Sequence, residues 1–213
     1  FGLQSYLING VRSEKRATAR ANLYQPTGLL EMIVYHHPNK NLQRIREARL
    51  WGSKHFQGAE VVRYAIGIYM AELIQRAITE TEANSDLYHF FEESFVHVLQ
   101  ADEKELAGFA VAFTLTFAEQ LGFAMQNNFS PETPVFDLLN GHFTAEDDTR
   151  NTHRLDRDLS QLLYAVLLDE AVGLPLNGKR RQELLSACIR YLQLHIPHLG
   201  EIKSISVLHE ILS

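Results

Sequence analysis

Ser5-Tyr-Leu-Ile-Asn-Gly10-Val-Arg-Ser-Glu-Lys15-Arg-Ala-Thr-Ala-Arg20-Ala-Asn-Leu-Tyr-Gln25-Pro-Thr-Gly-Leu-Leu30-Glu-Met-Ile-Val-Tyr35 sets two strand-like stretches around a basic segment. The leading stretch places Tyr6 and Ile8 on one face of a strand and Leu3 and Leu7 on the other. Leu29 to Tyr35, rich in β-branched and aromatic residues, is the best strand in the chain. Between them Arg12, Lys15, Arg16 and Arg20 fall within nine positions. A loop that presents several cations between two strands suits a phosphate backbone, because it neutralises charge without fixing a base-reading geometry. Tyr6 and Tyr24 flank the loop and are candidates to stack on bases. The competing reading is a solvated connector.

Outward from this stretch the pattern changes twice. His36-His37-Pro38-Asn39 ends the second strand with turn chemistry. Leu42 to Leu50 fits a helix face through Leu42, Ile45 and Arg49, whereas a strand would set Arg44 and Arg46 side by side. With Lys40, the arginines Arg44, Arg46 and Arg49 make a second basic cluster that can share the face of the first. From Ala59 onward the apolar period is 3.6. Val62, Ile66, Tyr69, Leu73 and Ala77 line one helix, and Leu87, Phe90, Phe91, Ser94, Phe95 and Val98 line a second capped by Asn84 or Ser85. Leu106, Phe109, Phe113, Phe117 and Leu121 define a helix that must be buried. Residues 123–152 carry Pro131, Pro134 and Gly141 and predict an irregular or short hairpin excursion, after which Leu155–Leu168, Leu184–Leu194 and Ile205–Leu212 return to helix. The fold class is α+β: a β-module, then an α-bundle.

Charge divides along the same line. Residues 1–50 hold eight Lys/Arg against three acids, and the rest holds twelve against twenty-three, beneath an overall net charge of −6. One half suits a polyanion and the other suits water or proteins. The longest uncharged apolar run, Leu106 to Ala118, has 13 residues and is too short to span a bilayer. No signal peptide is visible, and a single cysteine, Cys188, excludes a disulfide framework and a multi-cysteine zinc site, so a cytoplasmic protein without membrane contact is expected. Of ten histidines, His195 and His198 are separated by Pro197, and His36-His37 sit in a turn. Neither pair has carboxylates at ligand spacing, so no metal and no cofactor is expected. No nucleophile elbow, phosphate-cradling glycine loop or dinucleotide fingerprint is present, and no enzyme emerges.

The order of these pieces resembles the bacterial recombination-repair mediator family RecO over nearly the whole chain. The matching residues are Gly10-Val11-Arg12, Leu23-Tyr24-Gln25-Pro26 and Leu29-Leu30-Glu31-Met32 in the first part. In the helices they are Tyr69, Glu72, Leu73 and Arg76, then Phe113, Leu115, Leu121, Gly122 and Phe123. The tail adds Tyr191 to Ile196, Ile202-Lys203-Ser204 and Leu208.

The resemblance implies an OB-fold-like, nucleic-acid-binding domain over residues 1–52, partial in this chain, and a helical domain over 53–213 with its excursion at about 124–152. It implies that Leu42–Leu50 is the last barrel strand and that two further strands precede Phe1. It implies a protein that binds single- and double-stranded DNA and anneals complementary strands. Such a protein acts with RecR and RecF, helps RecA replace single-stranded DNA-binding protein, and docks that protein's acidic C-terminal tail; its place is the nucleoid.

Three features depart from the family pattern: the two missing strands, the four zinc-binding cysteines of many members, and the basic residues that some members carry before the central phenylalanine. Residues 124–152 lack the cysteines, so packing by Phe129, Val135, Phe136, Leu138 and Phe143 stands in for zinc. Val111 and Ala112 occupy the third position, so a tail-docking site near Phe113 draws its cation from Arg63 or Arg76. The alternative is a protein–protein adaptor acting through its helices, with the basic loop only a connector.

Overall fold

The structure, a computed structural model, describes residues 2–8, 22–52, 56, 60–146, 152–168 and 178–212. Strand β1 (Ser5–Leu7), β2 (Leu30–Tyr35) and β3 (Leu42–Leu50) form a three-stranded sheet in the order β1-β3-β2. The ambiguous segment is therefore a strand. Its helical alternative loses because β3 finds partners on both sides: β1 runs parallel to it, with Leu7 opposite Arg44, and β2 antiparallel, with Tyr35 opposite Arg44. Gln43 fixes the turn between β2 and β3. Its buried amide accepts from the His37 N–H at 2.8 Å and donates to the carbonyls of His37 and Lys40 at 3.0 and 2.6 Å. Among the described residues the three strands do not close into a barrel.

The sheet shares a compact unit, Phe1–Gln100, with helices α1 (Val61–Ala77) and α2 (Ser85–Gln100), which pack on each other. The division therefore does not follow the change of period near residue 52. One contact across that point is the Leu3 N–H donating to the Glu80 carbonyl at 3.1 Å; beyond it, Phe56 meets Phe95 edge-on at 5.8 Å. The core of α1 is Ile66, Tyr69, Met70 and Leu73, all fully buried. Asn84 caps α2, its Oδ1 accepting from the Leu87 N–H at 3.0 Å.

The second unit, Ala101–Ser213, contains α3 (Glu103–Gln120), a hairpin of β4 (Val135–Asp137) and β5 (His142–Thr144), then α4 (Arg157–Leu167), α5 (Gly178–His195) and α6 (Ser204–Ile211). A capping box starts α3: Asp102 accepts from the N–H groups of Lys104 and Glu105, and the Glu105 carboxylate accepts from the Asp102 N–H at 2.8 Å. At its other end Gly122, with φ +83°, lets the Phe123 N–H reach the Ala118 carbonyl at 2.8 Å. Phe109, Phe113 and Phe117 stack in sequence along α3 at 6.1 and 5.8 Å, and the helix packs on α5.

Among its described residues the expected excursion holds the hairpin of β4 and β5. Phe136 meets Phe143 at 4.9 Å, Phe143 meets Phe129 at 5.4 Å, and Phe129 stacks on Tyr164 of α4 at 4.4 Å. The Asn128 side-chain amide takes the place of a strand partner for Phe143, its Oδ1 accepting from the Phe143 N–H at 2.8 Å and its Nδ2 donating to the Phe143 carbonyl at 2.9 Å. No helix among the described residues is long and apolar enough to cross a membrane.

Candidate nucleic-acid interface

Side chains alternate along a strand, so residues 44 and 46 of β3 would share one face and residue 49 would lie on the other. An irregularity in the pairing changes that outcome. Ile33 faces Glu47, but the next residue, Val34, faces Ile45, so Arg46 is an extra residue with no cross-strand partner. A bulge of this kind bends the strand and resets the alternation. Gln43 and Ile45 before it, and Ala48 and Leu50 after it, take the covered side, while Arg44, Arg46, Glu47 and Arg49 are exposed. The bulge thus brings Arg49 onto the face of Arg44.

From β2 the same face receives Glu31, Ile33 and Tyr35, opposite Arg49, Glu47 and Arg44 respectively. From β1 it receives Leu7. These residues, with Leu23 and Tyr24, line an open cavity of about 920 Å³. Its chemistry is mixed: three guanidinium groups, two carboxylates, two phenols and aliphatic surface. Ile33 and Tyr35 are about half exposed, at 52% and 53%. Exposed aromatic and aliphatic side chains among arginines make a surface on which bases can stack while phosphates meet charge.

The charges on this face are not equivalent. Arg49 is held by Glu31, with Nε and Nη2 each 2.7 Å from Oε2. Arg46 lies beside Glu47, Nε to Oε1 3.4 Å. Arg44, flanked in register by Leu7 and Tyr35, has no acidic partner among the described residues.

Not every residue singled out from the sequence meets here. Arg12, Lys15, Arg16 and Arg20 lie outside the described residues. Tyr24 lines the cavity. Tyr6 pairs with Gln43, whose side chain is on the covered side, so its ring points away from Arg44; burial pushes its phenol above the ordinary value. Tyr35, Glu31 and Glu47 were not anticipated, although period-2 alternation along β2 carries the signal for Glu31 and Tyr35.

The three partner-binding candidates are placed differently. Arg63 is only 17% exposed; its Nη1 donates to the Val98 carbonyl at 2.8 Å and its Nε lies 3.3 Å from Glu60. Arg76, 40% exposed, lies 3.9 Å from Glu72. Phe113 is buried within the α3 stack, so it supports a surface rather than forming one. His195 donates Nε2–H to the Leu138 carbonyl at 3.1 Å and packs against Tyr191, which gives it a structural place between α5 and the hairpin.

Residues 59–204 match the family described as "Recombination protein O C terminal". A DNA repair protein RecO from Christiangramia forsetii is 29% identical over 213 residues, covering 99% of this chain and 87% of that protein. Those of Azobacteroides pseudotrichonymphae and Flavobacterium psychrophilum are each 26% identical, covering 99% and 100% of this chain and 88% of theirs. With well over half of its length matched, the chain belongs to the recombination protein O (RecO) family.

Proposed function

We propose that the chain is a DNA-repair mediator that binds and anneals single-stranded DNA and helps load RecA, acting with RecR and RecF. Family membership and the DNA repair role in the relatives' names support the general role. The observation that carries the binding mode is the bulged strand, which collects Arg44, Arg46 and Arg49 on one face beside Tyr24 and Tyr35. The loop cations Arg12, Lys15, Arg16 and Arg20 extend that grip. A parallel β1–β3 pair beside an antiparallel β3–β2 pair supports an OB-like module over residues 1–52. Annealing has a simple physical basis: cations that neutralise two strands lower their repulsion, and loose backbone contacts leave the bases free to pair. Double-stranded DNA binds the same cations through its phosphates. For the acidic tail of single-stranded DNA-binding protein, Arg76 is the more accessible of the two candidate cations.

The test is fluorescence anisotropy of labelled oligo-dT over a salt series. If four loop cations contact the strand, the log–log slope is about −3. Changing Arg12, Lys15, Arg16 and Arg20 to Ala flattens it, and changing Arg44, Arg46 and Arg49 to Ala weakens binding further. Binding indifferent to both sets sinks this reading and favours an adaptor that works through its helices.

A further inference from the structure

We infer that Glu31 and Glu47 act as built-in competitors for phosphate, holding Arg49 and Arg46 in ion pairs that oppose their engagement by a nucleic acid, and leaving Arg44 as the first point of contact. This deepens, and rests on, the reading of the sheet face as a single-strand binding surface. Three observations carry it. Glu31 stands directly opposite Arg49 across β2 and β3, and its Oε2 takes both Nε and Nη2 at 2.7 Å. Glu47 takes Arg46 at 3.4 Å from the neighbouring position on β3. Arg44 shares the face and the cavity but has no acid beside it among the described residues; Tyr35, its cross-strand neighbour, offers a ring for a base.

The physical consequence follows from exchange. An unpaired guanidinium that meets a phosphate displaces a condensed counterion, and the release favours binding. A guanidinium already paired is partly neutralised, and engaging its bonded N–H groups displaces a carboxylate that is then left beside the phosphate. The pairs are exposed, with Arg49 and Glu31 at 76% and 56% and Arg46 and Glu47 at 57% and 63%. Exposed pairs of this kind are weak, so the competition tunes binding rather than blocking it. A strand first gripped at Arg44 and Tyr35 gains the full charge of Arg46 and Arg49 only when it displaces these carboxylates. The surface therefore holds single strands loosely, as a protein that must release them to a partner strand requires.

The experiment uses the full chain, oligo-dT anisotropy and a salt series, with Glu31→Gln, Glu47→Gln, Glu93→Gln as an off-site charge control, and Glu31→Gln in an Arg49→Gln background. Glu31→Gln is expected to tighten binding about two- to fivefold, the scale of an exposed ion pair, and to steepen the log–log slope by up to about 0.7. Glu47→Gln is expected to do the same to a smaller degree because its pair is longer. The gain from Glu31→Gln should largely vanish in the Arg49→Gln background. An equal gain in that background would mean that Glu31 only repels phosphate, and an equal gain from Glu93→Gln would mean a bulk charge effect; either overturns the inference. Unchanged affinity in Glu31→Gln, while the wild type binds and Arg44→Ala weakens it, overturns the inference but leaves the binding surface standing. A wild type that does not bind at all removes the binding surface itself.

Discussion

Arg63 caps a helix that it does not belong to. From α1 its Nη1 donates to the Val98 carbonyl, 2.8 Å away in the last turn of α2, where carbonyls have no intrahelical partner. A cation at a helix C-terminus also meets the negative end of the helix dipole. Arg63→Ala is expected to destabilise the first unit by about 1.5–3 kcal/mol, the range for a charge-assisted hydrogen bond. Urea denaturation followed by circular dichroism measures it, and Arg63→Lys should recover only part of the loss. A loss below about 0.5 kcal/mol would show that Val98 is satisfied without Arg63.

Two glycines with similar backbone angles should respond unequally to a methyl group. Gly122 and Gly141 have φ of +83° and +70°, the left-handed region that costs other residues about 1–2 kcal/mol. At Gly122 an added Cβ meets nothing within 4 Å, whereas at Gly141 it would stand 2.9 Å from the Tyr191 hydroxyl oxygen. That hydroxyl is fixed by donating to the Phe123 carbonyl at 3.1 Å. Gly122→Ala should therefore show the backbone cost alone, and Gly141→Ala a further cost of about 1 kcal/mol or more from crowding. Combining Gly141→Ala with Tyr191→Phe should cost less than the sum of the two changes, because one removes the atom the other strikes. Strict additivity in denaturation midpoints would refute the contact.

Cys188 should serve as a reporter of unfolding. It is the only cysteine in the chain, it is 1% exposed on α5, and burial pushes its thiol up to about 12. Only the thiolate reacts, so at pH 8 the folded chain should alkylate with iodoacetamide at least about a thousandfold more slowly than a free cysteine of ordinary pKa near 8.5. The rate should rise along the urea unfolding curve. Fast labelling without denaturant would show that the packing between α3 and α5 opens readily.

Much of the architecture was legible because it depends on short-range pattern. The i, i+4, i+8 spacing of Phe109, Phe113 and Phe117 predicts a buried helix, and their stack is found in α3. Leu29–Tyr35 reads as a strand from its composition, and β2 occupies Leu30–Tyr35. What the sequence hides depends on register. Whether Tyr6 faces Arg44 or turns away is decided by the parallel pairing that sets it opposite Gln43, and a linear string contains no such pairing. Arg49 joins Arg44 only through the extra residue at Arg46, which breaks the alternation that strand reading assumes. Arg63 likewise looks like a surface cation in the string, because its acceptor is a main-chain carbonyl 35 residues away.

The bulge also makes the facing of β3 sensitive to a change of length in one direction only. Substitutions at Arg44 or Arg49 alter charge and leave the strand's two sides as they are. Loss of Arg46 would restore plain alternation, with Ala48 and Leu50 still covered and Arg49 still on the face of Arg44, so that only the bend is lost. Gain of one further residue after Glu47 would instead turn Ala48 and Leu50 toward water and Arg49 toward the apolar side, a larger event than the replacement of any one of the arginines.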